Sequence, residues 1–400
     1  MNNETRKETQ VLPKDVRYVG ADDLTLPLFE NQYPVQPMGV SYNSYLILDE
    51  KIAVMDSVDA RAADEWLAKL AHELDGRSPD YLVISHMEPD HSGSILRLAE
   101  KYQEMKLVGN TKTFTMLRQF FGAKAPTDDR LLEVGEGETL PLGAHTLHFM
   151  LAPMVHWPEV MVAYEETEKL LFSADAFGRF GALSRTAGAP WAPQARRYYY
   201  NIVGKYGAQV QALLKKAAAL EIETICPLHG PVLTGGALAE ALRLYDLWSR
   251  WQSEAPEEIL LAHASIHGNT ARAAELFKQK LEAAGARVTL CDLTATEVSY
   301  AVANAFYCGK LVLACSTYDG GLFPPMEEFL SHLQAKGFRD RSVGLMENGS
   351  WAPAAARLMR AKLEEMKDLR VCGTVVSLRS ALSPANEAQM EALSAELCAK

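Results

Sequence analysis

The chain has 400 residues, enough for about two or three domains, and an ordinary globular balance of 48% apolar and 23% charged residues. A net charge of −11 argues against nucleic acid or an anionic membrane as the main partner. No apolar run reaches the length of a membrane span, the polar start from Met1 to Glu8 has no signal-peptide core, and the six cysteines are scattered without a C-x-x-C pair. A reducing cytoplasm with buried thiols is the expectation.

In chain order, Ser41 to Leu48 and Ile52 to Asp56 read as β-strands, and Arg61 to Leu74 carries helical periodicity. Tyr81 to Ser85 reads as a buried strand that ends at His86. Leu147 to Leu151, Leu170 to Ser173 and Ile222 to Cys226 follow the same logic, and each run is followed by a His or an Asp. A helix over Gly236 to Trp251 closes this half, and Gln252 to Glu258, with Pro256, reads as a linker. The pattern then alternates. Strands are expected at Ile259–Ala264, Arg287–Cys291, Leu311–Cys315 and Ser342–Met346, with helices at Thr270–Ala284, Pro325–Ala335 and Ala354–Lys367. That is a doubly wound parallel α/β domain. The boundaries read as 1–252 for the first domain and 257–400 for the second.

Seven side chains beyond strand ends could bind metal: His86, Glu88, Asp90, His91, His156, Asp175 and His229. Imidazole with carboxylate suits iron, manganese or zinc, and seven ligands divide between two ions that share one carboxylate. A run H-x-H-x-D-H would suit two zinc ions and hydrolysis. Here Glu88 occupies the middle His slot, which favours harder, oxygen-preferring metal chemistry. His72, His145, His148, His263, His332 and Glu138 are read as structural.

In the second half, Ser265-Ile266-His267-Gly268-Asn269-Thr270 follows an apolar strand and opens a helix, as a phosphate loop does. The next strand ends carry Ser316-Thr317-Tyr318-Asp319-Gly320-Gly321 and Asn348-Gly349-Ser350-Trp351. Such loops at the carboxyl ends of adjacent parallel strands are where a doubly wound domain binds its ligand, with Tyr318 or Trp351 available to stack on a flavin ring.

The pattern H-x-E-x-D-H followed by H, D and H resembles the flavodiiron proteins (A-type flavoproteins), from about Arg17 to Cys398. The resemblance implies an N-terminal metallo-β-lactamase-like αββα sandwich and a C-terminal flavodoxin-like domain that binds FMN. It implies one iron on His86, Glu88 and His156, a second on Asp90, His91 and His229, and Asp175 as the bridge. The second loop departs from the family in reading Thr317-Tyr318-Asp319 where Pro and Asn are more usual. Glu30 falls where some relatives place a His, and one of Tyr198, Tyr199 and Tyr200 is expected to face the site.

The activity implied is reduction of O2 to water, of NO to N2O, or of both. The chain ends on the flavodoxin-like helix, so the implied electron donor is a separate protein such as a rubredoxin, or a flavin or rubredoxin reductase. A head-to-tail homodimer or a dimer of dimers is implied too, since it would set the FMN of one subunit beside the irons of the other. Two rivals stand beside this reading. One is a zinc-dependent hydrolase fused to a flavodoxin-like module, and the other is an electron carrier whose metal domain is only structural.

Overall fold

The computed structural model describes residues 11–398, so the polar start from Met1 to Glu8 lies outside the described residues. The chain separates into two compact units, the first ending at Asp246 and the second beginning at Leu247.

The first unit is a two-sheet sandwich. One sheet runs in spatial order β1 (Val16–Tyr18), β2 (Tyr45–Ile47), β3 (Ala53–Met55), β4 (Tyr81–Val83), β5 (Lys106–Gly109) and β6 (Leu131–Glu133). The other runs β7 (Thr139–Pro141), β8 (Thr146–Leu151), β9 (Met161–Glu165), β10 (Leu170–Phe172), β11 (Thr224–Cys226) and β12 (Leu233–Thr234). Period-two alternation explains the packing. Tyr45, Ile47, Ala53, Met55 and Val83 from the first sheet share one core with Leu147, Phe149, Met161, Ala163 and Phe172 from the second. Leu46, Val54 and Leu82 point to the opposite face and are also fully buried, so that face is covered as well. The helix Ala63–Leu74 buries Ala63, Trp66, Leu70 and Leu74, spaced three and four apart along one stripe. Each such Leu contributes about 1.5–3 kcal/mol of burial.

The single strand expected over Ser41 to Leu48 is two strands. Val40–Tyr42 pairs with Ala21–Asp23, whereas β2 joins the first sheet. The break lies at Asn43, whose backbone N–H donates to Leu228 O at 2.8 Å and whose side-chain amide donates to Pro227 O and Gly230 O at 2.8 and 2.7 Å.

The second unit is one parallel sheet. Its strands are β13 (Ala255–Ala264), β14 (Arg287–Asp292), β15 (Cys308–Tyr318), β16 (Ser342–Asn348) and β17 (Arg370–Leu378), in spatial order β14-β13-β15-β16-β17. All four pairings are parallel, and the order reverses direction between β13 and β15, which makes that edge the switch point of a doubly wound sheet. The helices are Asn269–Ala283, Val298–Tyr307, Pro324–Ala335, Ala355–Glu364 and Pro384–Cys398. The stretch read as a linker is mostly strand: β13 starts at Ala255, with an irregularity in register before Ile259. The Pro256 backbone packs closely on Gly309, where a Cβ would meet Pro256 O at 2.1 Å. Among the described residues, no helix is long and apolar enough to cross a membrane.

Candidate functional site

Every candidate ligand lies beyond a strand end of the sandwich. His86 follows β4, and Asp90 and His91 lie in the short helix Pro89–Ser92, which Glu88 precedes and Pro89 opens. His156 lies in the loop after β8, Asp175 after β10 and His229 after β11. Gly230, at φ +80, is required beside His229, since a Cβ there would meet Arg179 Cγ at 2.7 Å.

These loops bring all seven side chains together as two groups. His86, Glu88, His156 and Asp175 form one, and Asp90, His91 and His229 form the other. In the first, Glu88 Oε2 lies 3.2 Å from His86 Nε2 and 3.1 Å from His156 Nε2, and Asp175 Oδ2 lies 3.1 Å from His156 Nε2. In the second, Asp90 Oδ2 lies 3.3 Å from Nε2 of both His91 and His229, and those two nitrogens are 3.1 Å apart. Asp175 Oδ1 faces this second group, 3.2 Å from His91 Nε2. Ligand atoms about 2.0–2.2 Å from one ion stand roughly 3–3.5 Å from each other, which is the spacing seen.

The buried polar atoms test whether cations fit. Both Asp90 carboxylate oxygens, Asp175 Oδ1 and His91 Nδ1 are buried without a hydrogen-bond partner. His229 Nδ1 donates to Ser41 O at 2.7 Å, which leaves the Nε2 of a neutral ring as a lone pair aimed into the group. Buried carboxylates facing such lone pairs are unfavourable by several kcal/mol, roughly, unless a cation lies between them. The donor set therefore fits two metal ions sharing Asp175.

The local field favours positive charge. Burial works against protonation of His156, yet its hydrogen bonds to Asp175 and Glu88 carry its pKa up to about 9. Burial likewise opposes charge on His86, and Glu159, Glu88 and Asp175 outweigh it and raise its pKa well above the usual range. Asp175 is pushed the other way: burial would raise it, but His91, His156 and His86 hold it well below the ordinary carboxylate range.

Sequence reasoning missed three groups behind the ligands. Glu159 accepts from His86 Nδ1 at 2.8 Å and from Met87 N at 2.9 Å. Asp56 accepts from Ser85 N at 2.7 Å, and Ser41 supplies the carbonyl for His229. The available signal for Glu159 was a charge close to His156, in the apolar stretch leading to β9.

A cleft of about 570 Å³ opens onto Glu88 and Asp90, lined in part by Leu26, Leu28, Phe29 and Trp157, with Arg61 and Asp59 also present. Glu30 and Asn31 line it as well, both left-handed at φ +49 and +53, in the turn joining Leu28–Phe29 to Tyr33–Pro34. More than a third of Glu30 reaches solvent, but restricted hydration of its carboxyl, together with the Glu88 charge, pushes its pKa up to about 8. Of the three tyrosines, Tyr198 has its ring 5.5 Å from that of His229, while Tyr199 packs on Tyr245 at 5.0 Å. A π-helical turn, Tyr199–Val203, follows immediately.

In the second unit, Gly268 adopts φ +85 and leads into the helix Asn269–Ala283. Gly268 N donates to Ser265 Oγ at 3.1 Å, and the hydroxyls of buried Thr270, in the first turn of that helix, and Ser316, on β15, are 2.8 Å apart. Ser316 to Tyr318 belong to β15 itself, which folds back on Gly321–Leu322. Asp319 and Gly320, at φ +49 and +74, make the tight turn between them. The Thr317 hydroxyl accepts from Ala354 N and Ala355 N, and the Asn348 side chain bonds Ser380 N and O, both at 3.0 Å. Those two side chains are therefore engaged in holding neighbouring loops. Ile266, His267, Tyr318, Ser350 and Trp351 are exposed, Trp351 by 88%. Exposed aromatics beside an anion-binding helix start fit a flavin mononucleotide.

Three of the five histidines read as structural lie beside carboxylates outside the two groups. His145 bonds Asp49 at 2.9 Å, His148 bonds Glu166 at 2.7 Å, and His263 lies 3.8 Å from Asp292.

Residues 40–230 match a family model described as ODP family beta lactamase. The chain is 28% identical over 356 residues to the rubredoxin-oxygen oxidoreductase of Megalodesulfovibrio gigas, covering 87% of each. It is 26% identical to a nitric oxide reductase of Moorella thermoacetica, covering 88% of each. Its fold superposes on the flavodiiron protein of Giardia intestinalis with a TM-score of 0.89 at 25% identity, covering 97% of this chain and 95% of that one.

Proposed function

We infer that this chain is a flavodiiron protein, and on that premise we propose an oxidoreductase in which FMN supplies electrons to two iron ions that reduce O2 to water, NO to N2O, or both. The observation that carries this reading is the placement of Asp175, with one oxygen turned to each of two ligand groups. His86, Glu88 and His156 would hold one iron, and Asp90, His91 and His229 the other. When bound, the iron pair offers open coordination positions and one electron per ion, and reduced FMN offers two more.

The chain's own residues set the conditions for that chemistry. Glu159 and Ser41 O fix the ring orientation of His86 and His229. Leu26, Leu28, Phe29 and Trp157 give the approach an apolar side that small uncharged gases can follow, alongside the polar Glu30, Asn31, Asp59 and Arg61 of the same cleft. In the second unit the phosphate would rest on the loop Ser265, His267, Gly268, Asn269 and Thr270, with Ser316 alongside. Tyr318 and Trp351 would flank the ring, and the backbone of Thr317, Asp319, Gly320, Asn348, Gly349 and Ser350 would complete the cradle.

The electron donor in this reading is a separate protein of the rubredoxin type or a reductase, in keeping with the name of the M. gigas relative. A head-to-tail homodimer is proposed to bring FMN to iron, and the cytoplasm is proposed as its compartment, where the six unpaired thiols would stay reduced. Zinc-dependent hydrolysis is not favoured. Glu88 occupies the slot that would distinguish it, and the relatives are named for oxygen and nitric oxide chemistry.

The test is to load the protein with iron and FMN, reduce it without air, and mix it with O2 and with NO in separate stopped-flow runs. Rapid flavin reoxidation by either gas is expected. A preparation that holds two zinc ions and leaves the flavin reduced under both gases would sink the proposal. Sedimentation that shows a fully active monomer would sink the dimer.

A further inference from the structure

The two ligand groups are matched where they face each other. Each presents two imidazole Nε2 atoms, one carboxylate of its own and one oxygen of Asp175. They differ behind the rings. His86 Nδ1 donates to the Glu159 carboxylate at 2.8 Å, and the Glu159 side chain is 0% exposed. Its second oxygen, Oε2, has no hydrogen-bond partner, so the charge is concentrated toward His86 and Met87. In the other group, His229 Nδ1 donates to the neutral carbonyl of Ser41 at 2.7 Å, and His91 Nδ1 has no hydrogen-bond partner. Another buried carboxyl, Asp56, accepts the backbone N–H groups of Ser85 and His86 at 2.7 and 3.4 Å rather than a ring.

A full negative charge held against Nδ1–H in a dry interior shifts electron density toward Nε2 and makes it a stronger donor, more than a carbonyl dipole does. We propose that Glu159 is a positioning residue that makes the His86–Glu88–His156 position the tighter of the two, the first to fill with iron and the last to empty. This rests on the two-iron reading of the site.

Two measurements test it. Iron- and FMN-loaded protein is treated without air with increasing concentrations of a ferrous chelator, and crystals at each stage are measured at the iron absorption edge. The Asp90–His91–His229 position should empty first. Equal loss, or the reverse order, overturns the proposal while leaving two-iron binding intact, and protein that never retains iron overturns both.

Glu159→Gln keeps an oxygen for Met87 N–H and His86 Nδ1–H but removes the charge. Iron affinity at the first position should fall by about 10–100-fold with the second unchanged, and melting of the metal-free protein should stay near that of the wild type. Wild-type affinity at both positions would mean that Glu159 only holds the loop, and would overturn the assignment. Where the variant does not fold, the order of iron loss from the wild-type protein decides.

Discussion

Asp175 places its Oδ1 3.2 Å from His91 Nε2 while its Oδ2 lies 3.1 Å from His156 Nε2. A carboxylate so shared couples whatever ions the two groups hold. Asp175→Ala should lower the iron content and abolish the magnetic coupling between any ions that remain, and gas turnover should drop by more than about 100-fold. Iron analysis with Mössbauer spectroscopy checks this, and a variant with coupled irons at full occupancy would contradict it.

Glu88 reaches both His86 and His156 in the first group, at 3.2 and 3.1 Å. Replacing it with an imidazole softens that position, so Glu88→His should shift metal uptake from iron toward zinc. The check is elemental analysis of protein produced with both metals supplied.

Trp351 is 88% exposed, so its packing contributes little to the fold. Trp351→Ala should leave the melting temperature of the flavin-free protein within about 1 °C, since exposed sites rarely matter by more than ±0.5 kcal/mol. FMN should nevertheless bind more weakly and fluoresce more brightly once bound, because a stacked indole quenches the ring. Unchanged FMN titrations would remove Trp351 from the cofactor site.

Asn43 is fully buried and donates to Pro227 O and Gly230 O, on either side of His229, while its own Oδ1 accepts from Tyr18. Asn43→Ala removes the donor to Gly230 O and the acceptor of the Tyr18 hydroxyl, and leaves Pro227 O only the Tyr45 hydroxyl. A loss of about 2–4 kcal/mol of stability is expected, with weaker iron binding in the second group. Chemical unfolding of the metal-free protein measures the first effect and chelator titration the second.

Asp49 provides a pH-dependent term away from the metals. Burial acts to raise its pKa, but the backbone and side-chain N–H groups of His145 outweigh that and bring it down to about 2. A depressed folded pKa means stability that is present above the unfolded value near 3.9 and lost as pH falls toward 2. Asp49→Asn should remove roughly 1–2 kcal/mol at neutral pH, allowing for solvent screening, and flatten the acid-unfolding curve in that window. Identical acid unfolding of variant and wild type would refute it.

The residues of the two candidate ligand groups were legible because each couples a distinctive side chain to a local signal, the end of an apolar run, and both are encoded within a few residues. The turn at Gly268 and the exposed loop at Trp351 were legible for the same reason. Thr317 and Asn348 looked like cofactor contacts because their loop was recognisable, yet their side chains are taken up by Ala354, Ala355 and Ser380. Periodicity also ran Ser41 to Leu48 together as one strand, since nothing local reveals that Asn43 bonds to residues 184 and 187 positions away. Glu159 carries no motif at all. Its importance arises only when the sandwich closes and sets a charge from the edge of β9 behind a ring from the end of β4. Residue chemistry and spacing thus specify which side-chain atoms gather in the two candidate ligand groups. Which of those atoms is backed by a charge and which by a carbonyl is set by hydrogen bonds between segments far apart in sequence, and these exist only in the folded chain.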